Sequence, residues 1–188
     1  MLTDKRENPM AIRSKNALSS ALLKLMLAKE LSDISISDIT SKAGLSRQTF
    51  YTNFSCKEDI LRYLLMGLFS RYHERLTQSK PEPDNLIIDY FIFWGDSRDF
   101  LSLLFRQNLG YLFQDMNRSF FLEDTDCIND LFTSEEWQLP YVKVSIAGIT
   151  YELLLIWITK EQGLPVSVLS SMTSMLLGGK IFNEVQHI

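Results

Sequence analysis

The stretch Ser46-Arg47-Gln48-Thr49-Phe50-Tyr51-Thr52-Asn53 places four adaptable polar side chains within six residues: Arg47, Gln48, Thr49 and Thr52. On one short helix with Phe50 turned inward, these four share an outer surface. Arginine and glutamine can each form two hydrogen bonds to one base edge in the major groove, to guanine and adenine respectively, and a threonine methyl can touch thymine. That chemistry reads bases and breaks no bonds. Residues suited to catalysis are sparse. The histidines are His73 and His187, and no phosphate-cradling glycine loop or G-x-S-x-G elbow occurs. Cys56 and Cys127 stand far apart, outside any C-x-x-C pair. The sequence therefore predicts neither an enzyme nor a metal site, and no cofactor. Cys56, near an expected helix start where thiol pKa values can fall, is the one candidate for redox chemistry.

The residues upstream supply what such a helix needs to be held. Ile36, Ile39 and Ala43 fall on one face of a preceding helix, with Ser35 and Asp38 spaced as a capping box. Gly44 stands where the chain must turn sharply, Leu45 can fill the corner, and Ser46 can cap the next helix. This is the pattern of a helix-turn-helix, although any tight helix corner asks for a glycine and small residues. Ser55 with Glu58 reads as a further capping box opening a long helix, Lys57 to about Gln78.

Taken with Ala43-Gly44-Leu45-Ser46, the run Tyr51-Thr52-Asn53-Phe54-Ser55-Cys56-Lys57-Glu58-Asp59-Ile60-Leu61 resembles the TetR/AcrR family of bacterial transcriptional regulators over roughly residues 10–65. The resemblance implies a three-helix DNA-binding domain, residues 1–56, followed by a larger helical ligand-binding and dimerisation domain, residues 57–188. It implies double-stranded DNA as partner and a recognition helix over Arg47–Asn53. The implied DNA-binding residues are Ser37, Thr40, Ser46, Arg47, Gln48, Thr49, Tyr51, Thr52, Asn53 and Lys57. Tyr51 is expected to reach a phosphate through its hydroxyl and Lys57 through its ammonium, while Phe54 acts as a structural plug.

The rest of the chain also reads as helix, so the expected fold class is all-α. Asn8-Pro9 signals a helix start, and Ile12, Leu18, Leu22, Leu25 and Met26 build one apolar face. Pro81 and Pro83 mark a turn, and later helices are expected over 86–94, 98–108, 111–121, 141–161 and 165–182. Aromatic residues crowd between 90 and 121. From these, and from Trp137, Tyr151 and Trp157 further on, a pocket for a small apolar or aromatic effector is expected at Phe91, Trp94, Phe105, Tyr111, Phe113, Tyr151 and Trp157, although rings at helical spacing also build plain cores. The last two helices carry the expected homodimer interface: Ile146, Ile149, Leu153, Val168, Met172, Met175 and Gly179. No membrane span is expected, because the uncharged stretch 162–179 holds Pro165 and several hydroxyl residues. The segment Met1–Glu7 has no apolar run of a secretory signal, which points to the cytoplasm.

Charge is distributed in keeping with a polyanion at one end. Residues 1–80 hold 13 Lys+Arg against 8 Asp+Glu, a net of +5, and residues 81–188 hold 6 against 15, a net of −9. Residues 1–60 alone carry only +2. The leading expectation is a ligand-responsive repressor acting as a homodimer on a palindromic operator. The alternative is an adaptor or co-activator of the same fold that acts through a protein partner, with weak DNA binding of its own.

Overall fold

Asn8 begins the first described helix: its Oδ1 accepts the Met10 amide at 3.0 Å, with Pro9 at the first helical position. The structure is a computed structural model, and it describes residues 8–79, 83–123, 138–160 and 163–177. Among these, nine α-helices and no strand occur. They are α1 Pro9–Met26, α2 Ile36–Ala43, α3 Arg47–Asn53, α4 Lys57–Ser79, α5 Pro83–Gly95, α6 Arg98–Arg106, α7 Gly110–Glu123, α8 Leu139–Thr159 and α9 Val166–Leu177. The all-α expectation holds. Gly179 and Trp137 lie outside the described residues.

The chain divides into two compact units, Met1–Gly67 and Leu68–Ile188, so the division falls inside α4. The start of α4 packs with the first unit. Tyr63 Oη donates to Asn16 Oδ1 at 3.3 Å, the Lys15 ammonium stands 5.2 Å from the Tyr63 ring centre, and the Phe54 ring lies 5.8 Å from that ring.

In the first unit α1 packs on α2 and α3. Its inner face is Leu18, Ala21, Leu22 and Met26, while Ile12 is partly exposed near the helix start. A 3-10 turn at Leu31–Asp33, not expected from the sequence, fills the gap before α2 and buries Leu31. Leu31 and, just after it, Ile34 point into the core beside Ile39 and Phe50.

The second unit is built on aromatic residues. Phe69, Tyr72, Tyr90, Trp94, Phe113 and Phe120 make ring contacts with centroid distances of 4.7–6.1 Å. The pairs Phe113–Tyr151 (stacked rings) and Asn117–Ala147 (Asn117 Nδ2 to the carbonyl, 3.0 Å) run in opposite directions along α7 and α8, so these helices are antiparallel. The same register sets Lys143, which is buried on α8, opposite Phe121; an aliphatic lysine stem can cover such a ring. Tyr90 Oη donates to Asn117 Oδ1 at 3.0 Å, tying α5 into the same seam. Burial holds the Tyr90 phenol far above its ordinary pKa. By length and composition α8 could cross a bilayer, but it carries Lys143 and Glu152 and buries Ile146, Ala147, Thr150, Tyr151, Leu154 and Ile158 within this unit.

Candidate nucleic-acid interface

Local rules position α2 and α3. The Ser35 Oγ accepts the Asp38 amide at 3.1 Å and an Asp38 carboxylate oxygen accepts the Ser35 amide at 2.9 Å, a complete capping box. These contacts hold the Asp38 carboxyl below the usual carboxylate range, chiefly through the Ser35 hydroxyl. Gly44 closes α2 in the left-handed region at φ +67°, a conformation that costs glycine little. The Leu45 amide then bonds back to the Thr40 carbonyl at 2.9 Å. Ser46 caps α3 by accepting the Thr49 amide at 3.0 Å. Phe50 is fully buried and Phe54 nearly so, their rings 6.2 Å apart, so α3 is anchored by its inner face.

Hydrogen bonding sorts the expected contact residues. Thr52 Oγ1 donates to the Gln48 carbonyl at 2.9 Å, and Asn53 Nδ2 donates to the Thr49 carbonyl at 2.7 Å. The Ser46 and Thr49 hydroxyls lie 2.9 Å apart and bond each other. Thr40 is a correction: it is buried, and its hydroxyl bonds the Ile36 and Ser37 carbonyls, because a β-branched hydroxyl in the middle of a helix turns back on its own backbone. Ser37 remains exposed. Arg47, Gln48 and Tyr51 are exposed with no side-chain hydrogen bond or ion pair among the described residues, and Tyr51 keeps only an edge contact to Phe50. Their donors and acceptors are available to a partner.

One contribution to this face was missed in the sequence. An open cleft of about 300 Å³ separates the start of α1 from α3, lined by Asn8, Met10, Ala11 and Ser14 on one side and Ser46, Gln48, Thr49, Thr52 and Asn53 on the other. Met10 is 74% exposed at its rim. The Asn8-Pro9 cap fixed where α1 begins, but nothing in the pattern showed that this end lies beside α3.

Three expectations at the start of α4 meet different surroundings. The amides of Ser55 and Cys56 are accepted by Asp59 Oδ2 at 3.0 and 3.2 Å, so Asp59, one residue beyond the expected Glu58, supplies the cap. Burial alone would raise the Asp59 carboxyl, but the amides of Ser55 and Cys56, the Cys56 thiol and the Arg62 guanidinium outweigh it and hold it below the usual range. Cys56 behaves in the opposite sense from a reactive thiol: burial, with Asp59 and Glu58 nearby, pushes it up. The Lys57 ammonium donates to the carbonyls of Leu31 at 2.6 Å and Ile34 at 2.7 Å, so it is turned into the fold.

In the second unit, Phe91, Trp94, Phe105, Phe113 and Tyr151 are buried and connected by ring contacts; they pack on one another or on neighbouring rings. Tyr111 stands apart, 46% exposed. Trp157 serves a corner: its Nε1 donates to the Leu164 carbonyl at 2.7 Å, and Arg98, which donates to the Trp157, Ile158 and Lys160 carbonyls, lies over its ring. Of the expected interface residues, Ile146 is a correction. It is 3% exposed and belongs to the core, because it shares a helix face with Thr150 and Leu154. Ile149, Leu153 and Met175 are half-buried, and Val168 and Met172 are exposed. The exposed stripe of α8 is Tyr141, Val144, Gly148, Glu152 and Ile156.

Comparison with known proteins agrees with this geometry. No protein-family model matches the chain. A stretch of 75 residues is 31% identical to an uncharacterised HTH-type transcriptional regulator, YxbF, of Bacillus subtilis (strain 168), covering 39% of this chain and only 20% of that protein's length. Among solved structures, a TetR transcriptional regulator from Streptococcus agalactiae 2603V superposes with a TM-score of 0.68 at 17% identity, covering 89% of this chain and 95% of the other. The dihydroxyacetone kinase operon activator DhaS superposes at 0.59 and 18% identity, covering 90% and 97%. A TetR-family regulator from Streptomyces coelicolor superposes at 0.58 and 17% identity, covering 89% and 80%. Along about nine-tenths of its length, this chain is similar in fold to these solved structures, two of them TetR-family regulators.

Proposed function

We propose that this protein is a DNA-binding transcriptional regulator of the cytoplasm that acts as a homodimer on a palindromic operator. The observation that carries the reading is α3, whose Arg47, Gln48 and Tyr51 stand exposed and without a hydrogen bond or ion pair among the described residues, on a helix fixed by Ser46, Phe50 and Phe54. Arg47 suits a guanine edge and Gln48 an adenine edge, while Tyr51 and Ser37 suit the sugar-phosphate backbone. Ser46, Thr49, Thr52 and Asn53 shape the helix and line the cleft, and the start of α1 contributes its other wall. Half-sites one turn of the duplex apart, or a multiple of it, follow from a two-fold dimer.

The dimer surface draws on the exposed stripe of α8, where Tyr141, Val144 and Ile156 are its apolar members, and on the exposed Leu164, Val168 and Met172, groups that a partner helix pair would cover. Regulation by a small apolar or aromatic effector, with repression as the ground state, follows the resemblance of the whole chain. The experiment is a gel-shift series on palindromic fragments from the protein's own upstream region, with the dimer established by light scattering. Binding with a preference for half-sites containing G and A supports the reading; no binding by a verified dimer at low salt overturns it. The net of only +2 over residues 1–60 favours a second reading, an adaptor recruited by a protein partner, which would show as a stoichiometric protein on co-purification.

A further inference from the structure

Lys57 has work that base reading does not require. Its ammonium meets the carbonyl oxygens of Leu31 (2.6 Å) and Ile34 (2.7 Å), with that of Ser32 at 3.5 Å. An ammonium has three donors and no acceptor, so a converging set of carbonyls is its matched partner, and hydrogen bonds from a charged donor are the stronger kind. The acceptors are themselves fixed. Leu31 and Ile34 bury their side chains in the core, and the turn that carries them is closed by the Asp33 amide on Glu30 and the Ile34 amide on Leu31. The donor is fixed too, since Asp59 holds the amides just ahead of Lys57. Between Ile34 and Lys57 lie only α2, the Gly44 turn, α3 and the Phe54 plug. The contact therefore joins the two ends of the segment that contains the whole helix-turn-helix.

We propose that Lys57 is a positioning residue that clasps the helix-turn-helix into a closed loop, and that it supports DNA binding by holding α3 in place, without contacting a phosphate. The second clause rests on the function proposed above; the clasp itself does not. Turning the ammonium out to a phosphate would leave the Leu31 and Ile34 carbonyls without it and open the loop at its base, so the two roles exclude each other.

The test compares the full-length protein with Lys57→Met and Lys57→Arg. In the unaltered protein, nitrogen-15 NMR should show the Lys57 ammonium protons protected from solvent, and still protected on saturation with a palindromic duplex. In Lys57→Met the Asp33 and Ile34 amides should exchange about tenfold faster, as expected for losing charged hydrogen bonds. Operator affinity should fall about tenfold with the slope of log K against log salt unchanged. Lys57→Arg should bind as weakly as Lys57→Met, because a planar guanidinium does not fit an acceptor set made for a compact ammonium. A slope smaller by about 0.9, the signature of one lost phosphate contact, overturns the proposal. So does full affinity in Lys57→Arg, unchanged exchange in Lys57→Met, or a rapidly exchanging ammonium in the unaltered protein. If the unaltered protein binds no DNA, the proposed function falls, while the protection and exchange measurements still decide the clasp. If Lys57→Met fails to fold, ammonium protection in the unaltered protein decides it.

Discussion

Two regions of this chain are rich in residues that invite a functional reading, and the structure treats them in opposite ways. On α3, three of the polar side chains have no hydrogen-bond or ion-pair partner among the described residues, and the others are turned back onto the helix. In the second unit every buried aromatic among the described residues touches another ring, and the buried polar groups Tyr90, Asn117 and Thr150 are hydrogen-bonded within the unit. The first is a surface whose bonding capacity is unspent; the second has spent nearly all of its own. Residue type alone does not separate a site from a core. What separates them is whether the side chain's contacts close inside the fold.

That contrast can be broken most severely in the second unit. Trp94 is fully buried, with rings of Phe69 and Phe113 at 4.7 Å and no hydrogen-bond partner for its Nε1 among the described residues. If it is core, Trp94→Ala removes packing that cannot re-form and costs about 3–5 kcal/mol in denaturant unfolding. A loss under about 1 kcal/mol, accompanied by new binding of small aromatic probes, would mean that the rings line a space with room to spare and would return Trp94 to the pocket expected from the sequence. Next in size is the α8 stripe. A Cβ at Gly148 would meet nothing within 4 Å and the position is exposed, so Gly148→Arg should leave the monomer folded, with circular dichroism unchanged. At a dimer surface the same change forces a long charged side chain into the contact, and light scattering should report monomer at concentrations where the parent is dimeric. An unaltered dimer would move the interface off this stripe.

Arg47→Ala sharpens the other side of the comparison. An exposed side chain with no internal partner should cost stability less than about 0.5 kcal/mol. Its loss should weaken operator binding by about 1–3 kcal/mol and relax selectivity at one guanine. Thr52→Val, whose hydroxyl is bonded to the Gln48 carbonyl, should change selectivity far less. Equal effects from the two would mean that a hydroxyl already bonded within the helix still reads DNA.

The difference between the regions also explains what could be read from the sequence. The helix-turn-helix was legible because its signals are local. Ser35 and Asp38, Gly44, and Ser46 each act within four residues, and each does in the structure what its spacing predicts. The α2 and α3 boundaries follow from those caps. The carbonyl partners of Lys57 were not foreseen because they lie 23–26 residues away, beyond any local rule. Thr40 looked available because sequence shows that a hydroxyl is present but not that it bends back to Ile36. In α8, apolar residues occupy most faces, so periodicity did not say that Ile146 turns inward while Val144 turns out. The inward face is chosen by α7 and α6 packing against it, a tertiary fact.

Acid titration should give the smallest effect, read at two carboxyls of the first unit. Burial would raise the Asp59 carboxyl, yet the Ser55 and Cys56 amides, the Cys56 thiol and the Arg62 guanidinium, 3.0 Å from its Oδ1, hold it below the ordinary range. Asp38 is lowered too, chiefly by the Ser35 hydroxyl. A carboxyl whose folded pKa is depressed binds its proton less readily folded than unfolded. Its contribution is therefore fully present above the unfolded value of about 3.9 and is lost as pH falls through the folded value. Urea midpoints for the helix-turn-helix unit should hold steady from pH 7 to about 5 and fall below about 4. Asp59→Asn should flatten part of that fall and be less stable at pH 7, because an amide oxygen caps α4 without the charge that favours a helix start. Because α4 runs through both units, the same substitution also asks whether loosening its first turn is felt beyond Gly67. Hydrogen exchange at the aromatic seam, around Asn117 and Ala147, should stay unchanged if the two units open independently, and should quicken if α4 carries the strain across.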